Sequence, residues 1–282
     1  MRYAVYQKGR KIQDKVSSDV FTNTEIGIFE TLQAYEGEVF RLPQHLDRLL
    51  ESAKTVGYPG RLDPVILERE VRQAVAAYRK EFRKDSNLTV RLTLHQNRSV
   101  VFVGERAGQT ALYHKGVALK TSPVRKSHWN AAAPEAKSAS YQNAIMAMLQ
   151  PNPVSAYEDV FLDAGGYVTE ARVGNLFVVS EAETWLETPP AAGILNGITR
   201  RFVIECARSA GIKIRETPLT RHHVYNAREA FLTNTTWEIL PVSELDGRKI
   251  GGRIPGLITA KLHQIYKKRV TRECRRKSNT VR

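Results

Sequence analysis

The sequence predicts an α+β protein, because strand-like and helical segments both occur along its 282 residues. Residues 27–35 and 38–41 carry strand-forming patterns on either side of a Glu-Gly pair, which is typical of a β-hairpin. Residues 42–56 and 63–84 instead repeat apolar side chains every three or four positions, which indicates amphipathic helices. A chain of this length can bury a substantial core, and one or two domains are expected.

The composition is that of an ordinary globular protein, with 42% hydrophobic and 26% charged residues. No apolar run approaches the roughly 18 residues that a membrane helix needs, and the first residues carry no secretory signal. The two cysteines, Cys206 and Cys274, have no metal-ligand spacing and form no disulfide framework, so no metal site is predicted. Cys206 is expected in a helix core and Cys274 as an exposed thiol. These features predict a cytoplasmic protein with no membrane partner.

The net charge of +14 raises the question of a nucleic-acid partner. Residues 267–282 contain eight Lys or Arg and one Glu, so half of the excess positive charge lies there. This basic tail follows the last predicted helix, residues 257–266, and is expected to be solvated and mobile. It has no interleaved aromatic residues and no RNA-binding motif. A basic nucleic-acid-binding protein is therefore the alternative from another functional class.

The middle of the chain is predicted to contain a strand and then a domain boundary. Residues 87–95 alternate like a strand, and Arg91 interrupts the pattern. Residues 120–134 mix proline, polar residues and alanine, and are predicted to be an interdomain loop. The predicted domains are therefore a smaller one at residues 1–119 and a larger one at residues 135–266.

The second half of the chain sets an acid beside a helix start. Residues 159–169 are predicted to form a hairpin that delivers Glu170, and an apolar strand follows at residues 176–179. The glycine-framed turn at residues 193–197 then opens a helix at Ile198. The free amide N–H groups and positive dipole of a helix start favour phosphate. This stretch therefore predicts a site for a ligand with a cationic ring and an anionic phosphate.

Several motifs resemble those of the class IV, or fold-type IV, pyridoxal-phosphate enzymes. They are HLDRLLESA at residues 45–53, Lys137 ahead of a tyrosine, VTE at 168–170, NLF at 175–177 and GILNGIT at 193–199. The family contains branched-chain aminotransferases, D-amino acid aminotransferases and aminodeoxychorismate lyases. The resemblance covers the chain from Gly27 to about Tyr266. It implies a small N-terminal and a larger C-terminal α/β domain with the cofactor, pyridoxal 5′-phosphate, between them.

The resemblance also implies which residues bind the cofactor. Lys137 is expected to form the Schiff base and then to act as the general base. Glu170 is expected to keep the ring nitrogen protonated, so that the ring acts as an electron sink. Tyr141 is expected at the phenolic oxygen of the ring, and a phosphate contact is expected from Arg48 because its guanidinium can donate two hydrogen bonds. The implied cofactor-binding residues are Arg48, Lys137, Tyr141, Glu170, Ile198, Thr199 and Thr235.

A further set of residues is implied at the substrate. These residues are Phe29, Thr31, Arg91, Arg125 and Thr236. Arg91 and Arg125 are expected to meet a carboxylate, whereas the residues alone leave Phe29 open as strand core and Arg91 as a solvent-facing strand residue. Residues 229–242 are predicted to be a strand that ends in a polar cluster, in which Asn234 stands where the family has glycine.

Together these implications predict a homodimeric pyridoxal-phosphate aminotransferase that moves an amino group from an amino acid to a 2-oxo acid. The donor is expected to be a branched-chain or other aliphatic L-amino acid. Thr31, however, stands where branched-chain members usually have glycine and where the lyases have threonine. An aminodeoxychorismate lyase and a D-amino acid aminotransferase therefore stay open as alternatives.

Overall fold

The structure is a computed structural model that describes residues 3–13, 27–82, 87–95, 98–106, 108–126, 136–137, 156–180 and 185–280. The chain divides into two compact units. The first comprises residues 1–107, 136–140 and 268–282, and the second comprises residues 108–135 and 141–267. Both units combine a β-sheet with helices, so the prediction of an α+β fold is confirmed.

The first unit is built on a six-stranded sheet. Its strands are β1 (Tyr3–Gln7), β2 (Arg10–Gln13), β3 (Ile28–Tyr35), β4 (Glu38–Val39), β5 (Leu88–His95) and β6 (Arg98–Glu105). Its helices include α1 (Leu42–Thr55) and α2 (Pro64–Phe82). The strand order is β2-β1-β6-β5-β3-β4, and every neighbouring pair is antiparallel. The predicted hairpin, both helices and the strand around Arg91 are therefore confirmed.

Alternation along β3 decides which of its side chains reach the core. Ile28 and Leu32 are buried in the same apolar cluster as Leu46 and Leu49 of α1. Since successive strand residues point to opposite faces, Phe29 lies on the face away from that helix. The side chain between Ile28 and Leu32 on the helix-facing side is Glu30, so the pattern buries a carboxylate.

The second unit is built on a nine-stranded mixed sheet. Its strands are β7 (Val117–Arg125), β8 (Glu158–Leu162), β9 (Val168–Ala171), β10 (Asn175–Val179), β11 (Leu186–Thr188), β12 (Ile214–Glu216), β13 (Glu229–Asn234), β14 (Glu238–Leu245) and β15 (Arg248–Lys249). The strand order is β12-β11-β10-β13-β14-β7-β8-β9, with β15 added beside β14. The remaining helices are α3 (Thr110–Lys115), α4 (Ile198–Ser209), α5 (Arg221–Tyr225) and α6 (Leu257–Thr280), and the part of α6 from residue 268 belongs to the first unit. None of the described helices is long and apolar enough to cross a membrane.

The prediction of an interdomain loop at residues 120–134 is wrong in its first part. Residues 117–125 form β7, and the second unit begins at residue 108. In the sequence, Pro123 favours a loop over a strand. In the structure, a register shift between Thr121 and Arg125 accommodates this proline in the pairing of β7 with β8. The rest of the predicted loop, residues 127–134, lies outside the described residues.

Two other segments also differ from the prediction. The predicted strand at residues 229–242 is an antiparallel hairpin of β13 and β14, because a turn interrupts it after Asn234. The basic segment is not a mobile tail, since α6 continues to Thr280 and buries both Val270 and Cys274. Cys274 is therefore not an exposed thiol. In the basic end of α6, buried residues recur only every fourth position among charged ones. This pattern is too sparse to stand out in the sequence.

We expect truncation after Tyr266 to lower the free energy of unfolding. The cut removes the buried Val270 and Cys274 side chains, and burying an apolar side chain contributes about 1.5–3 kcal/mol. It also removes Glu273, which lies 3.5 Å from Nε of Arg41. The measurement is urea denaturation of both chains. A control truncation after Arg275 removes basic residues but keeps the buried ones, and equal stability of the two truncated chains would contradict the expectation.

Candidate active site

A buried carboxylate, Glu30, joins β3 to α1. It accepts hydrogen bonds from Nε and Nη2 of Arg48, both at 2.7 Å, and its Oε2 lies 2.7 Å from Nδ1 of His45. Burial alone would raise the pKa of Glu30, but Arg48 and His45 outweigh it and lower the pKa to about 2. Burial also lowers the pKa of His45, so its ring is neutral near pH 7. Because an ionised carboxylate only accepts, Nδ1–H of His45 is the donor.

Arg48, the predicted phosphate ligand, thus has a protein partner that the sequence pattern did not reveal. A guanidinium carries five N–H donors, and the bidentate contact with Glu30 takes two of them. A phosphate contact is compatible with this geometry and stays a prediction. The signal that points to the pair is an acidic residue at a core-facing position of a strand, beside a helix that carries His45 and Arg48 three positions apart.

Lys137 is held by its backbone on both sides within the first unit. Its N–H donates to Oγ of Ser52 at 3.0 Å, and its carbonyl accepts from the N–H of Phe29 at 3.4 Å. Its Nζ lies over the Phe29 ring, 4.8 Å from the ring centre. The amine of the predicted catalytic residue therefore lies over the aromatic residue predicted at the substrate.

Arg91 faces the same ring. Its Cζ lies 3.8 Å from the centre of the Phe29 ring, within the range of a cation–π contact. In the register of β3 and β5, Thr31 is opposite Arg91, so Phe29, Thr31 and Arg91 share one face of the sheet. The structure thus brings together Lys137 and three of the predicted substrate residues. Phe29 is 2% exposed, which also fits its role as a packed strand residue.

Glu170, the predicted partner of the ring nitrogen, lies on β9 among three donors of the second unit. Its carboxylate forms an ion pair with the ammonium group of Lys126, which is 8% exposed. It also accepts hydrogen bonds from Nδ2 of Asn175 at 3.1 Å and from the N–H of Leu195 at 3.2 Å. The acid is therefore held in one orientation by groups from the end of β7, from β10 and from the turn before α4.

Asn175 links this acid to the start of α4. Its Nδ2 also donates to the carbonyl of Leu195 at 2.9 Å. A Cβ atom on Gly197 would lie 2.3 Å from Oδ1 of Asn175, so a larger residue here would have to displace the Asn175 side chain. Gly197 is the N-cap of α4 and makes no side-chain capping hydrogen bond. A helix start of this kind favours an anion, and a phosphate contact from the amides of Ile198 and Thr199 stays a prediction.

Lys126 and Asn175 were not predicted as site residues. Lys126 follows a segment that the sequence presents as a loop, and its partner lies 44 positions further along the chain. Asn175 belongs to the NLF motif at residues 175–177, but its two contacts depend on the pairing of β10 with its neighbours. A polar residue at the start of an otherwise fully apolar strand is the signal that could have revealed it.

We expect Lys126→Met to lower the free energy of unfolding by about 1–3 kcal/mol, because the change removes one partner of the partly buried carboxylate of Glu170. Asn175 and Leu195 keep two hydrogen bonds to Glu170, which limits the loss. The measurement is urea denaturation of the cofactor-free protein, with Lys126→Arg expected to restore most of the stability. Exposed Lys115→Met is the matched control, and an equal effect of the two methionine variants would refute the role of Lys126 as a positioning residue.

The predicted cluster at residues 233–236 lies at the turn between β13 and β14. Asn234 accepts from the N–H of Trp237 at 2.6 Å and donates to the carbonyl of Val173 at 3.1 Å. Its φ is not positive, whereas Glu238 has a φ of 62°. Asparagine in place of glycine therefore stabilises this turn through its side chain and does not strain its own backbone. Thr235 and Thr236 are partly buried at this turn.

Two predicted site residues remain, Tyr141 and Arg125. Tyr141 lies outside the described residues. Arg125 lines a cleft with Arg221 and Arg248, and that lining contains none of the residues that hold Glu170. A contact between Arg125 and the substrate carboxylate stays a prediction. In the part of the chain that is described, no group of three His, Cys, Asp or Glu residues is placed to hold a metal ion.

Comparison with known proteins identifies the family of the chain. The model of the family "Amino-transferase class IV" matches residues 27–245. The branched-chain-amino-acid aminotransferase of Pseudomonas aeruginosa is 32% identical over 282 residues, which cover 93% of this chain and 91% of that protein.

Solved structures of named aminotransferases share the fold. The branched-chain aminotransferase from Thermoproteus uzoniensis with norvaline has a TM-score of 0.79 at 30% identity and covers 96% of this chain and 95% of its own. The T.th. branched-chain amino acid aminotransferase with pyridoxamine 5′-phosphate has a TM-score of 0.79 at 26% identity and covers 95% and 94%. With its two-domain α+β fold and a family match over most of its length, the chain belongs to the class IV aminotransferases, which are pyridoxal-phosphate-dependent transaminases.

Proposed function

We propose that this transaminase moves the amino group of a branched-chain or other aliphatic L-amino acid to a 2-oxo acid. The observation that carries the proposal is the convergence of Lys137, Phe29 and Arg91 on one face of the first sheet. The lysine offers an amine for the reaction, the ring offers an apolar surface, and the guanidinium offers a fork that matches a carboxylate. The names of the Pseudomonas aeruginosa and Thermoproteus uzoniensis relatives support the choice of donor.

The residues of the chain fit pyridoxal 5′-phosphate. Glu170 already accepts from a cationic group, Lys126, as it would from a protonated ring nitrogen. The uncapped start of α4 suits a phosphate, and Gly197 lets Asn175 approach closely enough to hold the acid there. The cofactor, when bound, supplies the electron sink that weakens the Cα–H bond of the substrate. The residues proposed to hold it are Arg48, Lys137, Tyr141, Glu170, Ile198, Thr199 and Thr235.

Lys137 has two proposed tasks. Its Nζ would hold the cofactor, and the same nitrogen, when it is free of the cofactor, would remove the proton from the substrate Cα. Its backbone is fixed by Ser52 and Phe29, so the amine moves by side-chain rotation over the Phe29 ring. Arg91, proposed to bind a substrate carboxylate, then sets which way Cα faces the amine. Thr236 is proposed as a further substrate contact.

We further propose that the enzyme is a cytoplasmic homodimer, as the family resemblance implies. Cys206 and Cys274 are both buried and form no disulfide, which fits a reducing compartment. Light scattering of the purified protein measures the assembly directly. A monomeric mass at working concentration would refute the dimer.

A lyase that releases pyruvate from aminodeoxychorismate is the second candidate. Thr31 favours it, because this threonine shares a sheet face with Phe29 and Arg91 and stands where the lyases carry theirs. A D-amino acid aminotransferase is tested in the same assay.

The donor panel separates these functions. L-leucine, L-isoleucine, L-valine and D-alanine are each offered with 2-oxoglutarate, beside a pyruvate-release assay on aminodeoxychorismate. We expect turnover of the L-amino acids and an increase in their KM of about tenfold or more in Arg91→Leu, because the carboxylate loses a charge-assisted partner. Exposed Arg98→Leu on the neighbouring strand β6 is the control. Preference for the D-donor, or pyruvate release without amino transfer, would overturn the proposed donor.

A further inference from the structure

The second unit contains a cleft of about 440 Å³ where the end of β7 meets α5 and the turn between β14 and β15. We call it the arginine cleft. Its lining includes Thr121, Arg125, Arg221, Tyr225, Asp246 and Arg248. Its volume lies within the roughly 300–1,000 Å³ that small-molecule sites occupy.

The charges of the arginine cleft do not balance. Arg125, Arg221 and Arg248 contribute three guanidinium groups, and Asp246 is the one carboxylate among the described lining residues. In the described part of the chain none of these three arginines forms a salt bridge, although Arg48, Arg172 and Arg200 each do. All three side chains are exposed, so water and salt screen their repulsion, but an anion placed between them is attracted by each. The described lining therefore has a formal charge of +2 that its own groups leave unneutralised.

Asp246 connects the walls of the arginine cleft through hydrogen bonds. Its Oδ1 accepts from the N–H of Thr121 at 2.5 Å, and its Oδ2 accepts from Oγ1 of Thr121 at 2.6 Å and from the hydroxyl of Tyr225 at 2.7 Å. These bonds join β7, α5 and the β14–β15 turn around a single carboxylate. They outweigh the effect of burial and, with the charge of Arg221, lower the pKa of Asp246, so it stays ionised. The walls are thus fixed before any ligand arrives.

Arg248 is also held in position. Its guanidinium lies over the ring of Tyr225, 4.7 Å from the ring centre, and its Nη1 donates to the carbonyl of Asp246 at 3.2 Å. An arginine that is stacked in this way loses little freedom when it binds a further anion. Tyr225 in turn has its own hydroxyl bonded to Asp246. The ring, the carboxylate and the guanidinium therefore form one connected frame.

The arginine cleft is separate from the groups around Glu170. Its lining includes neither Lys126 nor Asn175 nor Leu195. Arg125 and Lys126 are neighbours in an extended segment, where successive side chains point to opposite sides. Lys126 points to Glu170, and Arg125 points into the cleft.

We propose that the arginine cleft binds a small organic phosphate. A phosphate monoester carries about two negative charges at neutral pH, which matches the excess of two guanidinium groups. The planar fork of arginine fits phosphate oxygens with two parallel hydrogen bonds. The volume exceeds what an inorganic phosphate fills, so the ligand carries an organic part that lies along the cleft. This site goes beyond the proposed transaminase reaction and does not depend on its donor.

The test uses the holoenzyme, so that the cofactor occupies its own phosphate site. Glycerol 3-phosphate, inorganic phosphate and succinate are titrated in turn by calorimetry at constant ionic strength. We expect glycerol 3-phosphate to bind with one site per chain and more tightly than the other two anions. In Arg221→Gln and Arg248→Gln we expect the affinity to fall by about tenfold or more each, because a charge-assisted contact is lost. Arg208→Gln, an exposed arginine on α4, controls for the loss of one positive charge.

Each other outcome counts against the proposal. An equal effect of Arg208→Gln would mean that the anion is attracted by net charge alone. Tighter binding of succinate would make the cleft a dicarboxylate site. Undiminished affinity in both cleft variants, or no saturable binding at all, would overturn the site itself. Since each variant removes a single exposed side chain, circular dichroism serves to confirm that the fold is kept.

Discussion

Lys137→Ala is expected to abolish transamination with little change in the stability of the protein. The variant removes Nζ, the one group proposed both to bond the cofactor and to move the substrate proton. General acid–base catalysis alone contributes about 10²–10⁴-fold, so we expect a loss of at least that size. The contacts of Lys137 with Ser52 and Phe29 use its backbone N–H and C=O, which alanine keeps. The measurements are the rate of 2-oxo acid formation from L-leucine and the urea midpoint.

Exposed Lys54→Ala on α1 serves as the control for the loss of a lysine. It is expected to keep both the rate and the midpoint of the parent protein. A Lys137→Ala enzyme that retained more than about one hundredth of the parental rate would contradict the assignment, because the proton transfer would then need another base.

Glu30→Gln is expected to cause the largest loss of stability, about 3–5 kcal/mol, because it leaves Arg48 without its buried counter-ion. The carboxylate is fully buried and receives two hydrogen bonds from Arg48 together with the His45 contact. The free energy of unfolding is measured in urea on the cofactor-free protein, so that ligand binding does not contribute. Exposed Glu51→Gln on α1 is the matched control, expected to change stability by less than about 0.5 kcal/mol.

The ion pair of Glu30 and Arg48 also makes the free energy of unfolding depend on pH in a defined direction. Because the pKa of Glu30 is lowered from 4.5 to about 2, its contribution is fully present above the ordinary carboxyl pKa. It is lost as the pH falls from there toward the lowered value. We therefore expect the parent protein to lose more stability than Glu30→Gln between those two pH values. Parallel acid-denaturation curves for the two proteins would show that the pair contributes nothing.

Local patterns in the sequence were enough to place many elements. The Glu-Gly turn, the four-residue spacing of α1 and the alternation of β5 each depend on neighbours along the chain, and all three elements form where expected. Pro123 shows where such patterns fail, because its tolerance in β7 depends on a register shift against β8. The end of α6 fails for a related reason, since the burial of Val270 and Cys274 depends on residues far away in sequence.

The candidate site divides in the same way. The order of motifs singled out Lys137, Phe29 and Arg91, and the structure places these three together. The residues that hold the site in place could not be predicted from the sequence. They are brought together by the pairing of strands, and their spacing along the chain does not show it. Glu30 meets Arg48 across 18 positions, and Lys126 meets Glu170 across 44. One sequence does not show which distant residues form such pairs until the strand pairing is known.

The most direct test of the account uses sodium borohydride, which fixes the cofactor to the lysine that holds it. The holoenzyme is reduced, digested and measured by mass spectrometry, and we predict the added mass on the peptide that contains Lys137. Lys126 is the informative alternative, because it is a buried lysine and lies against Glu170. The label on Lys137 alone, with none in Lys137→Ala, is the predicted result. The label on Lys126, or on any other lysine, would contradict the assignment of the active site.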